Sequence, residues 1–158
     1  MRKCLLLCSL LLMVAAGMSA VEPQTTVSGD YLLALSGRQQ YSVTIDARGA
    51  EITGVCIVKT NSEGTRGAIV NEFGIHALDF TLSPDRHKVR LENVMPMMDR
   101  WYIRRILRKD LRLLFGATTP GGLKSGRSIT VSDDGTIVLN NARYKLNYSL
   151  KKIDDTTE

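Results

Sequence analysis

The stretch MPMMDRWYIRRILRKDLRLLF, residues 95–115, is one long helical pattern between two blocks of strand patterns. At about 100° per residue, its apolar side chains fall in one arc and its cations in the opposite arc. Pro96 near the start and Gly116 after the end predict a helix over residues 96–115. The apolar arc holds Tyr102, Ile103, Ile106, Leu107, Leu111, Leu113 and Leu114, and the basic arc holds Arg104, Arg105, Arg108, Lys109 and Arg112.

Two residues do not fit a plain packing helix. Trp101 lies on the basic side, where its ring would suit the headgroup layer of a membrane while Arg104, Arg108 and Arg112 meet phosphates. The alternative is a solvated basic face with Trp101 half-covering a strand. Asp110 lies within the apolar arc, and a buried carboxylate needs a partner. We expect an arginine of the sheet, such as Arg66 or Arg90.

Strand patterns surround this helix, six before it and three after it. They begin with DYLLALSG at 30–37 and RQQYSVTIDARG, which alternates through Tyr41, Val43 and Ile45, and they include a C-terminal hairpin signal at Asp134-Gly135. Turn signals separate the strands at intervals of about 8–12 residues, which is typical of an antiparallel meander. The sequence therefore predicts a mainly β, α+β fold: a strongly curved antiparallel sheet, or unclosed β-barrel, with the helix across its concave face.

The ends of the chain predict export. Arg2 and Lys3 precede a short apolar run, and small residues end at Ala20, which is typical of a secretory signal peptide. We expect a signal at 1–20, a flexible lead at 21–28, one curved-sheet domain at 29–151 and a polar tail at 152–158. Removing two of the 21 Lys and Arg residues leaves 19 against 16 acids, a net charge of +3. This weak imbalance does not favour nucleic acid as a partner.

Residues for catalysis or metal binding are few. His76 and His87 are the only histidines, no His/Cys/Asp cluster has ligand spacing, and no nucleophile elbow is present. Cys56 remains alone once the signal is removed, and its place in a strand pattern predicts a buried, inert thiol. We expect no catalytic residues, metal or cofactor, and therefore no enzymatic activity.

The segment at 73–82 carries apolar side chains on both faces. It is either a central strand beneath the helix or a strand that faces a cavity, which could hold a lipid chain in an exported protein. The cavity interpretation predicts a lining of apolar side chains from this segment and from the helix. These are Phe73, Ile75, Leu78, Phe80 and Leu82, with Ile103 and Leu107 from the helix.

The order of elements resembles a known family. Strands, then GTRGAIVNEFGIHALDF at 64–80, then a charge-rich helix and more strands resemble the bacterial lipoprotein-localisation (LolA/LolB-like) superfamily. The resemblance covers roughly residues 30–150 and implies an unclosed curved barrel that shelters lipoprotein acyl chains, with the helix as its lid. Cys4 and Cys8 stand too early for a lipid anchor, which departs from the anchored members of that superfamily.

Two functions follow as expectations. The first is an exported, non-enzymatic carrier or chaperone whose partner is a lipid or lipoprotein acyl chain. The second is a structural or interaction module of the cell envelope that docks its basic helix on an anionic membrane surface. Either would work in the periplasm of a Gram-negative-type bacterium, and association with the outer membrane is compatible with both.

Overall fold

A computed structural model describes residues 32–33, 35–47, 50–116, 123 and 126–153. The predicted signal peptide, the lead at 21–28 and the end of the polar tail lie outside these residues. Eight strands and one helix are found in the described part of the chain. They are β1 (Gly37–Ala47), β2 (Ala50–Asn61), β3 (Gly64–Asn71), β4 (His76–Leu82), β5 (Val89–Val94), α1 (Trp101–Phe115), β6 (Arg127–Val131), β7 (Ile137–Asn141) and β8 (Leu146–Ile153).

All eight strands form one antiparallel sheet in the order β5-β4-β3-β2-β1-β8-β7-β6. The first five strands are a meander, and β8 returns to pair with β1, so that Ile45 lies between Ile52 and Tyr148. β5 and β6 are the two edges, and the sheet is not closed. Register shifts between β3 and β4 and between β4 and β5 add local bends. The predicted mainly β fold with a curved, unclosed sheet and one helix is confirmed.

The helix connects the two edges of this sheet. It follows β5 at one edge and precedes β6 at the other, so the chain has to cross a face of the sheet between them. The Phe115 ring at its C-terminal end lies 5.2 Å from the Phe80 ring on β4 and 6.2 Å from the Tyr41 ring on β1. Most of the apolar arc of α1 therefore packs on the sheet, as its amphipathic pattern predicts. Tyr102 is the exception, since 51% of its surface is exposed.

The core lies between this sheet face and α1. On the sheet it consists of alternate residues, because successive strand side chains point to opposite faces. Gly67 on β3 pairs with Phe80, and a Cβ at Gly67 would lie only 2.2 Å from the Phe80 ring, so glycine lets this ring cross the neighbouring strand. The largest fully buried side chains include Tyr148, Phe80, Phe115, Leu78, Leu111, Leu114, Leu139 and Leu150.

The helix is shorter than the sequence predicts. It begins at Trp101 rather than at residue 96, because the chain first makes a turn in which the Met98 N–H donates to the Met95 carbonyl (2.8 Å). Arg100 is the N-cap, with extended backbone. The predicted end is confirmed, since Phe115 is the last helical residue and the Gly116 N–H donates to the Arg112 carbonyl (2.9 Å).

The first predicted strand, DYLLALSG at 30–37, is wrong for its described residues. Leu32, Leu33 and Leu35 are not in a strand but pack as partly buried side chains against the core. The Leu33 carbonyl accepts a hydrogen bond from the Arg86 guanidinium (2.9 Å), not from a neighbouring strand. Eight strands therefore replace the nine predicted, and β8 continues to Ile153, two residues past the expected domain boundary.

Candidate functional site

The predicted cavity lining divides into two groups. Leu78, Phe80, Leu82 and Leu107 are buried together in the core, and Ile103 packs against them partly buried. Phe73 and Ile75 lie elsewhere, in the turn between β3 and β4, with 77% and 54% of their surface exposed.

The predicted strand from Phe73 onward is wrong at its start because the chain turns there. The Asn71 side-chain oxygen accepts the N–H groups of Phe73 (3.0 Å) and Ile75 (2.8 Å). Gly74 has a φ of 76°, a conformation that glycine adopts without strain. β4 therefore begins only at His76. An Asn three residues before a Gly is a recognisable turn signal that the alternating apolar residues masked.

Asp110 is the centre of a buried polar cluster. Its carboxylate is fully buried and accepts hydrogen bonds from Arg127 Nε (2.6 Å) and the Tyr148 hydroxyl (3.1 Å). The Asn141 amide nitrogen donates to both of its oxygens, at 3.0 and 3.2 Å. The ion pair is closed to solvent, since only 6% of the Arg127 side chain is exposed.

The expected partners Arg66 and Arg90 are wrong. Asp110 lies on the side of α1 that faces β6, β7 and β8, whereas Arg108 and Arg112 lie on the side next to β5. The cluster joins α1 to β6, β7 and β8 through one residue of each strand. Burial, and then the Asp110 charge, raise the pKa of Tyr148 well above its ordinary value, so this hydroxyl stays protonated and donates. These contacts hold α1 in place, and the side chains of the cluster are almost completely buried.

The outer side of α1 forms a cationic face. We define the cationic face as Arg105, Arg108, Lys109 and Arg112, all of which are exposed. Three grooves adjoin it, and two of them are lined by described residues that include no Asp or Glu. One, of about 310 Å³, lies between the helix start and the β7–β8 turn; the other, of about 230 Å³, lies beside β5. The first is lined by Trp101, Tyr102, Arg105, Ile106, Lys109, Arg127, Arg143 and Tyr144, and the second by His87, Val89, Arg105, Arg108, Lys109 and Arg112.

Of the four residues predicted to meet an anionic surface, three point outward. Arg108 and Arg112 are exposed, and Trp101 is 76% exposed rather than half-covering a strand. Arg104 is different, because its guanidinium pairs with Asp99 (2.7 Å) and donates to the Leu91 carbonyl (3.1 Å). Arg104 therefore fastens the first turn of α1 to β5.

A third groove, of about 780 Å³, runs along the β5 edge. It mixes charges, because Arg66, Lys88 and Arg90 line it together with Glu63 and Glu92. Charged side chains of both signs, including Arg108 of the cationic face, therefore line this groove, which differs from the apolar lining that an acyl chain requires.

The described residues offer little for catalysis. Within them no three His, Cys, Asp or Glu side chains lie close enough to hold a metal ion. His76 Nδ1 lies 3.0 Å from an Asp79 oxygen on the outer side of β4. Cys56 is buried, as predicted, and burial raises the pKa of its thiol to about 12, so it is protonated and unreactive at neutral pH.

The described helix is too short and too polar to cross a lipid bilayer. No protein-family model matches this chain, and no curated protein is significantly similar to it in sequence. The likeness to the lipoprotein-localisation superfamily therefore rests on the order of elements alone.

Proposed function

We propose that this protein is a non-enzymatic module of the cell envelope that docks the cationic face of α1 on an anionic membrane surface. The observation that carries the proposal is the grouping of four exposed cations on one side of a helix, with no Asp or Glu lining two of the three grooves beside them. The opposite side of the same helix is buried in the core, so the cations are held on a fixed surface.

The energetics of such docking are favourable without any further contact. Each Lys or Arg near an anionic bilayer contributes about 1 kcal/mol, so the four cations contribute about 4 kcal/mol. The interaction falls off over one Debye length, which shrinks from about 10 Å at 0.1 M salt to about 3 Å at 1 M. Binding through the cationic face is therefore expected to disappear as salt is raised.

Charge reversal on the cationic face tests this proposal. Changing Arg108→Glu and Arg112→Glu removes two attractions and adds two repulsions, so we expect binding to anionic vesicles to fall about 10²- to 10³-fold. The measurement is co-sedimentation with vesicles of phosphatidylglycerol and phosphatidylcholine over a range of salt.

A matched control makes the same change in net charge on the far side of the sheet. Arg38 and Lys59 are exposed neighbours on β1 and β2. They lie on the opposite face from α1, since Tyr41 and Val58 point into the core. Changing Arg38→Glu and Lys59→Glu is expected to weaken binding far less. Equal losses in the two double variants, or binding that does not respond to salt, would contradict docking through α1.

A carrier for acyl chains is the second proposal. It is favoured by one feature: α1 is the element that covers the apolar sheet face between the unpaired edges β5 and β6 in the described chain. An acyl chain bound there would have to displace α1 and separate Asp110 from Arg127. Its binding free energy must therefore compensate for the lost packing of the helix and for the broken ion pair. The test is native mass spectrometry of protein purified without detergent. A carrier is expected to bring a non-covalent lipid adduct, and its absence counts against this role while leaving the docking proposal intact.

A further inference from the structure

One end of the sheet gathers the turns on which apolar side chains are exposed. The turn between β3 and β4 is at this end, since β4 starts at His76, just after it. β5 finishes at the same end, because Leu78 pairs with Val94 and the Met95 N–H donates to the Ala77 carbonyl (2.9 Å). The chain then turns and begins α1, so the first turn of the helix also lies here.

Five of the seven large hydrophobic side chains that are exposed in the described part of the chain occur at this end. They are Phe73, Ile75, Met97, Trp101 and Tyr102. The opposite end of the sheet has Ile153, which pairs with Gln40. Single exposed apolar residues are ordinary on soluble proteins, whereas several at one end are a candidate interaction surface. We call Phe73, Ile75, Met97 and Trp101 the apolar rim.

The turn that carries two rim residues is well defined. Both N–H groups that the Asn71 side chain accepts belong to rim residues, so the turn holds Phe73 and Ile75 outward instead of letting them fold onto the sheet. The backbone of this turn is already ordered by these hydrogen bonds, which lowers the entropy cost of inserting the turn into another phase.

The rim continues directly into the cationic face. Trp101, Arg105, Arg108 and Arg112 are spaced by four, three and four residues, so they form one stripe along the outer side of α1. Cations also surround the rim itself, since Arg100 and Arg143 are exposed near the start of the helix. The acids at this end include Asp99, which pairs with Arg104, and Glu72, whose carboxylate accepts the Thr53 hydroxyl (3.4 Å). Asp46 and Glu51 of the β1–β2 hairpin also lie at this end.

We propose that the apolar rim inserts into the interface of the same anionic bilayer on which the cationic face docks. The proposal rests on the proposed docking function and adds the part of the protein that enters the membrane. A bilayer fits better than a protein groove, because Trp and Tyr beside a row of arginines match a layer that is apolar below and anionic above. The rim then provides the part of the binding that salt does not screen.

Trp101 is the only tryptophan of the chain, so its fluorescence reports the rim directly. On adding anionic vesicles we expect a blue shift of its emission, and quenching by lipids brominated in the upper part of their acyl chains. Changing Phe73→Ser and Ile75→Ser is expected to lower binding at about 1 M salt at least tenfold, because the apolar contribution is lost. Ile153→Ser, at the other end of the sheet, is the matched control and is expected to leave binding unchanged.

The outcomes separate this inference from the docking function. Insertion is overturned if binding is salt-sensitive, the Trp101 emission does not shift and the serine variants bind as well as the unchanged protein. The docking function then still stands. Absence of vesicle binding overturns both. A blue shift that needs no vesicles and grows with protein concentration assigns the rim to contact with a second copy of the chain, which also overturns the proposal. Thermal unfolding of the serine variants checks that they are folded, and both residues are exposed enough that we expect little change.

Discussion

Asp110→Asn is expected to lower the free energy of unfolding by about 3–5 kcal/mol. The substitution keeps the size of the side chain but removes its charge, so the Arg127 guanidinium becomes a buried cation without a counter-ion. The new amide group also points one nitrogen at neighbours that are donors, namely the Asn141 amide and the Tyr148 hydroxyl. Since a domain of this size has about 5–15 kcal/mol of stability, the variant loses a large part of it. Urea unfolding followed by circular dichroism measures the change.

Two further variants show that the loss comes from the unpaired charge. Asp99→Asn removes the other ion pair of the helix, but Asp99 is 46% exposed and its partner Arg104 is 30% exposed, so we expect a cost of about 1 kcal/mol or less. Combining Asp110→Asn with Arg127→Met removes the orphaned cation and is expected to recover part of the stability. If Asp110→Asn cost no more than Asp99→Asn, the buried cluster would not hold α1 on the sheet.

Local sequence signals were sufficient for most elements of this fold. The alternation of Tyr41, Val43 and Ile45 predicts β1, and these three side chains are buried in the core. Asp134-Gly135 predicts the β6–β7 turn, where Gly135 has a φ of 77°. The amphipathic pattern gave the helix and its buried side. These features depend on neighbours a few residues apart, so a single sequence contains them.

Non-local features could not be read from the sequence in the same way. The partner of Asp110 depends on which strands form the far half of the sheet, and β8 pairs with β1 across about 100 residues of chain. Arg127, Asn141 and Tyr148 carry no local mark of their role. The first predicted strand failed because its leucines can be buried by packing on the core without pairing to a strand.

The candidate surface was partly predictable. Arg108, Arg112 and Trp101 were expected outside from the helical period alone, and the structure places them there. Arg104 was misjudged because the helical period does not show that β5 comes close enough for its guanidinium to reach the Leu91 carbonyl. The apolar side chains on both faces of 73–82 predict a continuous strand, so this pattern places Phe73 and Ile75 in a cavity and does not register the turn at Asn71.

Phe115→Ala is expected to cost about 3–5 kcal/mol, as is usual for a buried phenylalanine whose removal leaves a cavity. The ring is 1% exposed and lies between Phe80 on β4 and Tyr41 on β1, at the point where α1 ends over the sheet. Trp101→Ala is the control on the same helix, since that ring is 76% exposed, and we expect a change of about 0.5 kcal/mol or less.

The size of the Phe115→Ala effect also bears on function. A docking module needs α1 to stay packed on the sheet while its outer side meets the membrane. A large loss in the free energy of unfolding on Phe115→Ala would mean that the packed helix is the stable state in solution. A cost below about 1 kcal/mol would mean that Phe115 is not held between Phe80 and Tyr41 in solution, because a seated phenylalanine cannot be removed so cheaply. The helix would then leave the sheet easily, which is what a carrier with a movable lid requires. Urea unfolding of Phe115→Ala beside Trp101→Ala therefore weighs the two proposed functions against each other.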